Sequence, residues 1–205
     1  IKENKYDESI YIKEVVKKYN LEHKSTTVSA DISIDEINQA LNSLDEPYSD
    51  PSIVPTYILS SEISQYYKVA ISGDGGDELL GGYERTMISL QKTGFFRNLF
   101  SKSYNLYPAI LGTGNKLLSN SNNLEVKYRS FLEDKKLIKL LNVSSESNTF
   151  ADGLDYKNTN FYKNLLIADY KLFLPEMMMF KIDRTSMANS LEVRSPFVDH
   201  KLIEF

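Results

Sequence analysis

The residues best suited to chemistry stand together in Ser72-Gly73-Asp74-Gly75-Gly76-Asp77-Glu78-Leu79-Leu80-Gly81-Gly82-Tyr83. Five of the nine glycines of the chain fall within ten positions there. Glycine permits positive φ and lets a ligand come close to the backbone. Three carboxylates, Asp74, Asp77 and Glu78, share the segment, and the next cation is Arg85. Such a loop repels bare phosphate but suits one that arrives with a hard cation such as Mg²⁺ between the two acidic partners. It differs from a P-loop, which presents a lysine and bare N–H groups. A plain glycine-rich turn with solvated acids is the alternative. The EF-hand register fails because the acids fall three apart instead of at alternate positions. A calcium-binding β-roll needs its nonapeptide repeated, and this segment occurs once.

A second group of charges, Lys181, Asp183, Arg184, Glu192 and Arg194, is set among Met177–Met179, Met187 and Pro196-Phe197. Lys181 and Arg184 suit neutralising phosphate or orienting a substrate, and equally suit a structural role. For Glu192 and Arg194 the structural reading leads: ion pairs that, with Asp183, fix a helix against a sheet. The methionines read as core filler. In Glu46–Tyr57, Asp50, Ser52 and Thr56 stand in a proline-framed helix start, with Ser52 as its N-cap. His23 and His200 lack metal-ligand spacing and read as surface or satisfied histidines.

The elements around these residues alternate. Asp7 is a plausible N-cap for a helix carrying Ile12, Val15, Val16 and Tyr19. Thr26–Val28 is β-prone. Ser33 and Glu36 form a capping-box pattern ahead of Ile34, Ile37, Leu41 and Leu44. A third helix is expected over about Ser52–Tyr67, one face carrying Ile53, Tyr57, Ile63 and Tyr67. Val69–Ile71 then reads as a short strand covered on both faces. Helices alternating with such strands suggest a parallel α/β sheet, and a loop at a strand's carboxyl end is where open sheets of that kind bind ligands. Beyond Tyr83 short helical candidates are broken by Gly94, Pro108, Gly112 and Gly114, and Ser119–Asn123 and Asn142–Thr149 read as loops. Helices are expected over 161–174 and 176–190, with Pro175 at the joint. The division expected is 1–83, an α/β portion, and 84–205, a mainly helical portion.

Composition narrows the function classes. At 41% hydrophobic and 12% aromatic, 205 residues can bury a core. The charge is −4, with 24 basic against 28 acidic residues and no segment in which basic residues concentrate, so no nucleic-acid partner is expected. The apolar stretch near Leu172–Phe180 is interrupted by Pro175 and Glu176, so no membrane span and no membrane partner are expected. There is no cysteine, hence no disulfide, thiolate zinc site or cysteine nucleophile in this chain. The composition suits the cytoplasm.

Ser72–Tyr83 resembles the SGxGxDExxGGY signature of the glutamine-hydrolysing asparagine synthetase family, which includes β-lactam synthetase. The run Lys181–His200 resembles the family's second signature, KxDRxSMAxSLExRxPFLD. Tyr6–Ser9 and Glu46–Tyr57 match in the same order. The resemblance covers about 1–85 and 173–205 well and the middle poorly. It implies an ATP-pyrophosphatase-like (adenine nucleotide alpha hydrolase-like) parallel sheet with flanking helices, followed by a largely helical region. It implies ATP and Mg²⁺, adenylation of a side-chain carboxylate of aspartate, and displacement of AMP by ammonia. By the same resemblance Ser72, Gly73, Gly75 and Gly76 contact the nucleotide, and Asp77 lies near Mg²⁺ and pyrophosphate. Asp74 takes the position of an acid, often glutamate, tied to forming and resolving the acyl-adenylate; it is one methylene shorter. Lys181 is carried over as catalytic, and Asp50, Ser52 and Arg184 as substrate-binding. Members that amidate a sugar acid or a secondary metabolite give an alternative acceptor, and a non-catalytic interaction module that kept the fold is the reading from another class.

The family's SGGxDS loop is expected to precede this chain, together with a glutaminase domain whose nucleophile is cysteine and which supplies ammonia. A lysine-bearing loop is expected beyond Phe205. The isolated chain is therefore expected to be inactive. A sheet edge left open by its missing neighbours leads us to expect self-association, in the simplest case a homodimer.

Overall fold

The computed structural model describes residues 7–25, 32–132, 138, 140, 141 and 161–205. Tyr6, the β-prone run Thr26–Val28 and the loop Asn142–Thr149 lie outside them. In chain order the elements used below are α1 (Ser9–Tyr19), α2 (Ile34–Asn42), α3 (Ile53–Ser64), β1 (Val69–Ile71), α4 (Gly76–Leu80), α5 (Glu84–Leu90) and α6 (Phe95–Ser101). They continue with α7 (Asn115–Leu118), α8 (Leu124–Arg129), α9 (Phe161–Ala168), α10 (Phe180–Ala188), β2 (Glu192–Arg194) and α11 (His200–Glu204). The chain is thus α/β, mostly helical, with a small parallel sheet.

Two compact units form. The first comprises 1–72 and 180–194, the second 73–179 and 195–205. In the first unit α2 packs on α3, α3 on α10, and α10 on β2. The start of α2 is written locally: the Ser33 hydroxyl accepts from the Glu36 amide at 3.2 Å, and Glu36 Oε2 accepts from the Ser33 amide at 2.9 Å. This reciprocal cap satisfies two donors that helix geometry leaves orphaned. α1 starts one residue later than a cap at Asp7 would give; Asp7 accepts from the Ser9 amide at 2.9 Å, and no residue of α1 is buried. α3 stops at Ser64, short of Tyr67. Ala40, Ile53, Ile182 and Leu191 supply the buried apolar side chains of this unit.

β1 and β2 pair in parallel, with Val69 opposite Glu192, Ala70 opposite Val193 and Ile71 opposite Arg194. The ladder extends at both ends, through the Glu192 amide to the Lys68 carbonyl and the Ser72 amide to the Arg194 carbonyl, each 2.9 Å. The expectation of a strand covered on both faces fails. Val69 and Ile71, which share a face by the two-residue period, are 45% and 78% exposed.

In the second unit Tyr128, Leu165 and Ala168 form the core, with Leu132 and Leu172 packed against it. The expected break at Pro175 is absent. Asp169–Met179 is a continuous π-helical segment with Pro175 inside it. Proline removes an N–H and crowds the carbonyl one α-turn back; the wider i→i+5 turn relieves the crowding without ending the helix.

Candidate functional site

In the first unit Lys181, Asp50 and Ser52 come together, although Lys181 is about 130 positions from the other two. Lys181 is 5% exposed and donates from Nζ to Ser52 Oγ at 2.7 Å and to Asp50 Oδ2 at 3.0 Å. Ser52 in turn donates its hydroxyl to Asp50 Oδ2 at 2.7 Å and its amide to Oδ1 at 2.9 Å. Ser52 therefore stands before α3 without capping it; its side chain joins the ion pair instead. Thr56 turns its hydroxyl back to the Ser52 carbonyl at 2.7 Å. Burial raises the Asp50 carboxyl, but the Ser52 hydroxyl and amide and the Lys181 ammonium outweigh it and hold the group below its ordinary range. Beside it, burial and the Asp50 charge push the Tyr48 phenol up to about 12. Arg184 points to a different acid, Asp45, at 2.7 Å in a partly solvated pair. Glu192 and Arg194 pair with each other at 2.8 Å along β2, on the surface, so their ion pair does not fix a helix against the sheet.

Ser72 closes this unit at the end of β1. Its amide is used by the ladder, while its hydroxyl oxygen is buried with no hydrogen-bond partner. A buried hydroxyl without a partner forfeits solvation and gains nothing in return, unless a ligand or water supplies the bond.

Gly73, Asp74, Gly75, Gly76 and Asp77 belong to the second unit. A Cβ built on Gly73 would meet nothing within 4 Å, so the backbone there is open. Gly75 has φ +86°, and a Cβ on it would lie 3.3 Å from Phe197 and Val198, so both conformation and space call for glycine. The Asp74 carbonyl accepts the Ser195 hydroxyl, which ties the loop to the segment after β2. Asp77 is exposed, and its Oδ1 lies so close over Gly82 that a Cβ there would sit 1.9 Å away. The three carboxylates thus divide. Asp74 and Asp77 keep access to solvent, whereas Glu78 is 1% exposed and accepts the Tyr83 hydroxyl at 2.6 Å. Among the described residues no three His, Cys, Asp or Glu side chains are grouped to hold a metal.

The family model described as asparagine synthase matches residues 1–205. The chain belongs to the asparagine synthase family. It is 27% identical over 204 residues to asparagine synthetase (glutamine-hydrolyzing) 1 of Bacillus subtilis, a match covering 91% of this chain and 32% of that protein. It is 25% identical over 199 residues to asparagine synthetase (glutamine-hydrolyzing) 3 of the same organism, covering 97% of this chain and 30% of that one. The chain spans about a third of the length of these relatives. No solved structure matches the chain at a significant level.

In this asparagine synthase domain one further polar network has no local signature in the sequence. Asp169, fully buried, accepts from Arg85 at 2.7 Å and from the Tyr128 hydroxyl, with Thr86 Oγ1 at 3.4 Å. The Arg85 guanidinium lies against the rings of Tyr83 and Phe173, 3.7 and 4.0 Å from their centres, and the two rings meet edge to face. Burial opposes its charge, but the hydrogen bond and charge of Asp169 prevail and the guanidinium is held more firmly protonated. Burial pushes the Tyr83 and Tyr128 phenols upward, aided by Glu78 and Asp169 respectively. The only local hint was Arg85, the first cation after three acids; nothing in sequence marked Asp169 as its partner.

Proposed function

We propose that the intact protein is an ATP-dependent carbon–nitrogen ligase of the asparagine synthase type, and that Ser72–Asp77 receives the nucleotide. The observation that carries this reading is the buried Ser72 hydroxyl at the end of β1, which lacks a partner. A phosphoryl oxygen is the kind of acceptor that would satisfy it. The family membership supports the reaction class. A nucleotide-hydrolase-like ancestry of the sheet, an α/β portion ending near residue 83 and a helical portion beyond it belong to the same proposal.

In that reaction a carboxylate oxygen of the acceptor attacks the α-phosphorus of ATP, and the bond to pyrophosphate breaks. Ammonia then forms a C–N bond at the acyl carbon, the C–O bond to AMP breaks, and one proton is released. Asp74, accessible on the loop, is the group proposed to take that proton. Asp77 is the carboxylate proposed to hold Mg²⁺. No ready-made cluster of three ligands is needed, because Mg²⁺ commonly comes with substrate phosphates and takes one or two protein carboxylates. Bound there, the cation would offset charge on the departing pyrophosphate. Gly75 and Gly76 keep the backbone close to Phe197, shaping the loop without adding side chains to it. Lys181 braces Asp50 and Ser52, which, with Arg184, are proposed to position the acceptor.

Aspartate is the acceptor proposed first, and ammonia from glutamine the nitrogen source. Pyrophosphate release by the intact protein, compared across aspartate, sugar acids and other small carboxylates, tests the class and identifies the acceptor together. Release that no carboxylate stimulates contradicts the proposal.

A further inference from the structure

Glu78 and Tyr83 take no part in the reaction as drawn above, yet they frame the residue next to them, Asp77. Helix α4 is five residues long and lies between two glycines in the left-handed region, Gly75 at φ +86° and Gly81 at φ +73°. So short a helix has little stability of its own and keeps its place through side-chain contacts. Consecutive helix positions project about 100° apart, so a rotation of α4 that turns Glu78 inward leaves Asp77 facing outward. Glu78 is accordingly 1% exposed, and Asp77 is exposed.

A carboxylate buried to this degree stays in place only if donors compensate it. Among the described residues the Tyr83 hydroxyl is the one hydrogen-bond donor to Glu78, at 2.6 Å from Oε1. The bond closes residues 78–83 into a ring. Within it the Asp77 carbonyl accepts the Gly81 amide at 2.7 Å and the Gly82 amide at 3.0 Å, which seats the end of α4. Tyr83 is itself braced. Its ring meets Phe173 edge to face, the centres 5.5 Å apart, and the Arg85 guanidinium lies 3.7 Å from its centre. Arg85 is in turn anchored on the buried Asp169. The hydroxyl is thus presented from a fixed support, and α4 is the lighter partner that follows it.

We infer that Tyr83 is a positioning residue: through its hydroxyl on Glu78 it fixes the rotation of α4 and so holds Asp77 outward, toward a nucleotide that carries Mg²⁺. The inference rests on the reading of Ser72–Asp77 as the nucleotide site. Loss of the hydroxyl leaves a buried charge without a donor; α4 then turns to bring Glu78 to water and carries Asp77 with it.

Tyr83→Phe in the intact protein tests this, because it removes the hydroxyl and keeps the ring. Hydrogen exchange of the segment Gly76–Tyr83, measured without nucleotide, is expected to quicken about tenfold. The Kd for ATP with Mg²⁺ present, measured by calorimetry, is expected to rise about fivefold or more, while the Kd in EDTA stays within about twofold of wild type. The double variant Tyr83→Phe, Glu78→Met removes the buried charge together with its donor. It is expected to return the Kd for Mg²⁺·ATP to within about twofold of wild type, and it serves as the folding control. Unchanged exchange in Tyr83→Phe overturns the inference. Faster exchange with an unchanged Kd for Mg²⁺·ATP also overturns it and leaves Tyr83 a structural role alone. Persistence of the loss in the double variant does the same. If the wild type does not bind Mg²⁺·ATP, the inference falls with the nucleotide reading; the exchange, which needs no ligand, distinguishes that failure from a failure of Tyr83 to hold α4.

Discussion

Arg85 and Asp169, separated by 84 positions, meet at 2.7 Å with the carboxylate fully buried and the guanidinium against two aromatic rings. The contact joins the second residue after the glycine-rich segment to the first residue of the π-helical segment. Breaking a buried pair by removing one partner leaves an uncompensated charge in a medium that solvates it poorly. Asp169→Ala is therefore expected to cost about 3–5 kcal/mol. The urea midpoint of the intact variant checks this; a loss below about 1 kcal/mol would mean that water or another group takes over the role of the carboxylate.

The Asp50 carboxyl, held below its ordinary range, makes a pH prediction with a definite sign. A depressed folded-state pKa contributes stability above the unfolded value, about 3.9, and loses it as pH falls through the lower folded value. Wild type should therefore exceed Asp50→Asn in stability by a constant margin near neutrality, and that margin should shrink below about pH 4. Parallel denaturation curves across the range check it. A margin that persists unchanged at pH 2 would show that hydrogen bonding alone, without charge, is responsible.

Lys181 allows its structural and chemical roles to be separated. Lys181→Met keeps the stem and removes the ammonium, leaving Asp50 and Ser52 facing each other. A loss of about 2–4 kcal/mol in stability is expected. If Lys181 serves the reaction only by holding these two residues, Lys181→Arg should restore stability and turnover together. Recovery of stability without turnover would assign the ammonium a direct part.

Gly82 tests Asp77 without touching it. A Cβ at Gly82 would fall 1.9 Å from Asp77 Oδ1, the end of a flexible side chain that can swing away. Gly82→Ala should leave the urea midpoint within about 1 kcal/mol of wild type while moving the carboxylate proposed to hold Mg²⁺. The expected signature is a rise in the Mg²⁺ concentration needed for half-maximal rate. Unchanged Mg²⁺ dependence would remove Asp77 from that role.

What could be read beforehand was local. The capping box at Ser33 and Glu36 lies within four residues, so sequence contained the whole of it. The strand Val69–Ile71 was legible from its apolar run and from the glycines after it. Its exposure was not, because coverage depends on what packs from elsewhere. Pro175 misled for the opposite reason: proline ends an α-helix, but a π-helical turn accommodates it, and the choice between them is made by the surrounding packing. The site divides the same way. The glycine loop announced itself by composition, whereas the union of Lys181 with Asp50 and Ser52, and of Arg85 with Asp169, required the chain to fold back across 84 to 131 positions. Family resemblance named Lys181 and Asp50, but only the fold makes them partners.

In the proposed reaction a carboxylate oxygen of the acceptor becomes bonded to the α-phosphorus of ATP. Isotope transfer reports that bond directly. The intact protein, given ATP, Mg²⁺, ammonia and aspartate labelled with ¹⁸O in its side-chain carboxylate, should yield AMP carrying one ¹⁸O atom for each amide formed. Label found in inorganic phosphate alongside ADP, or AMP formed without label, would contradict it.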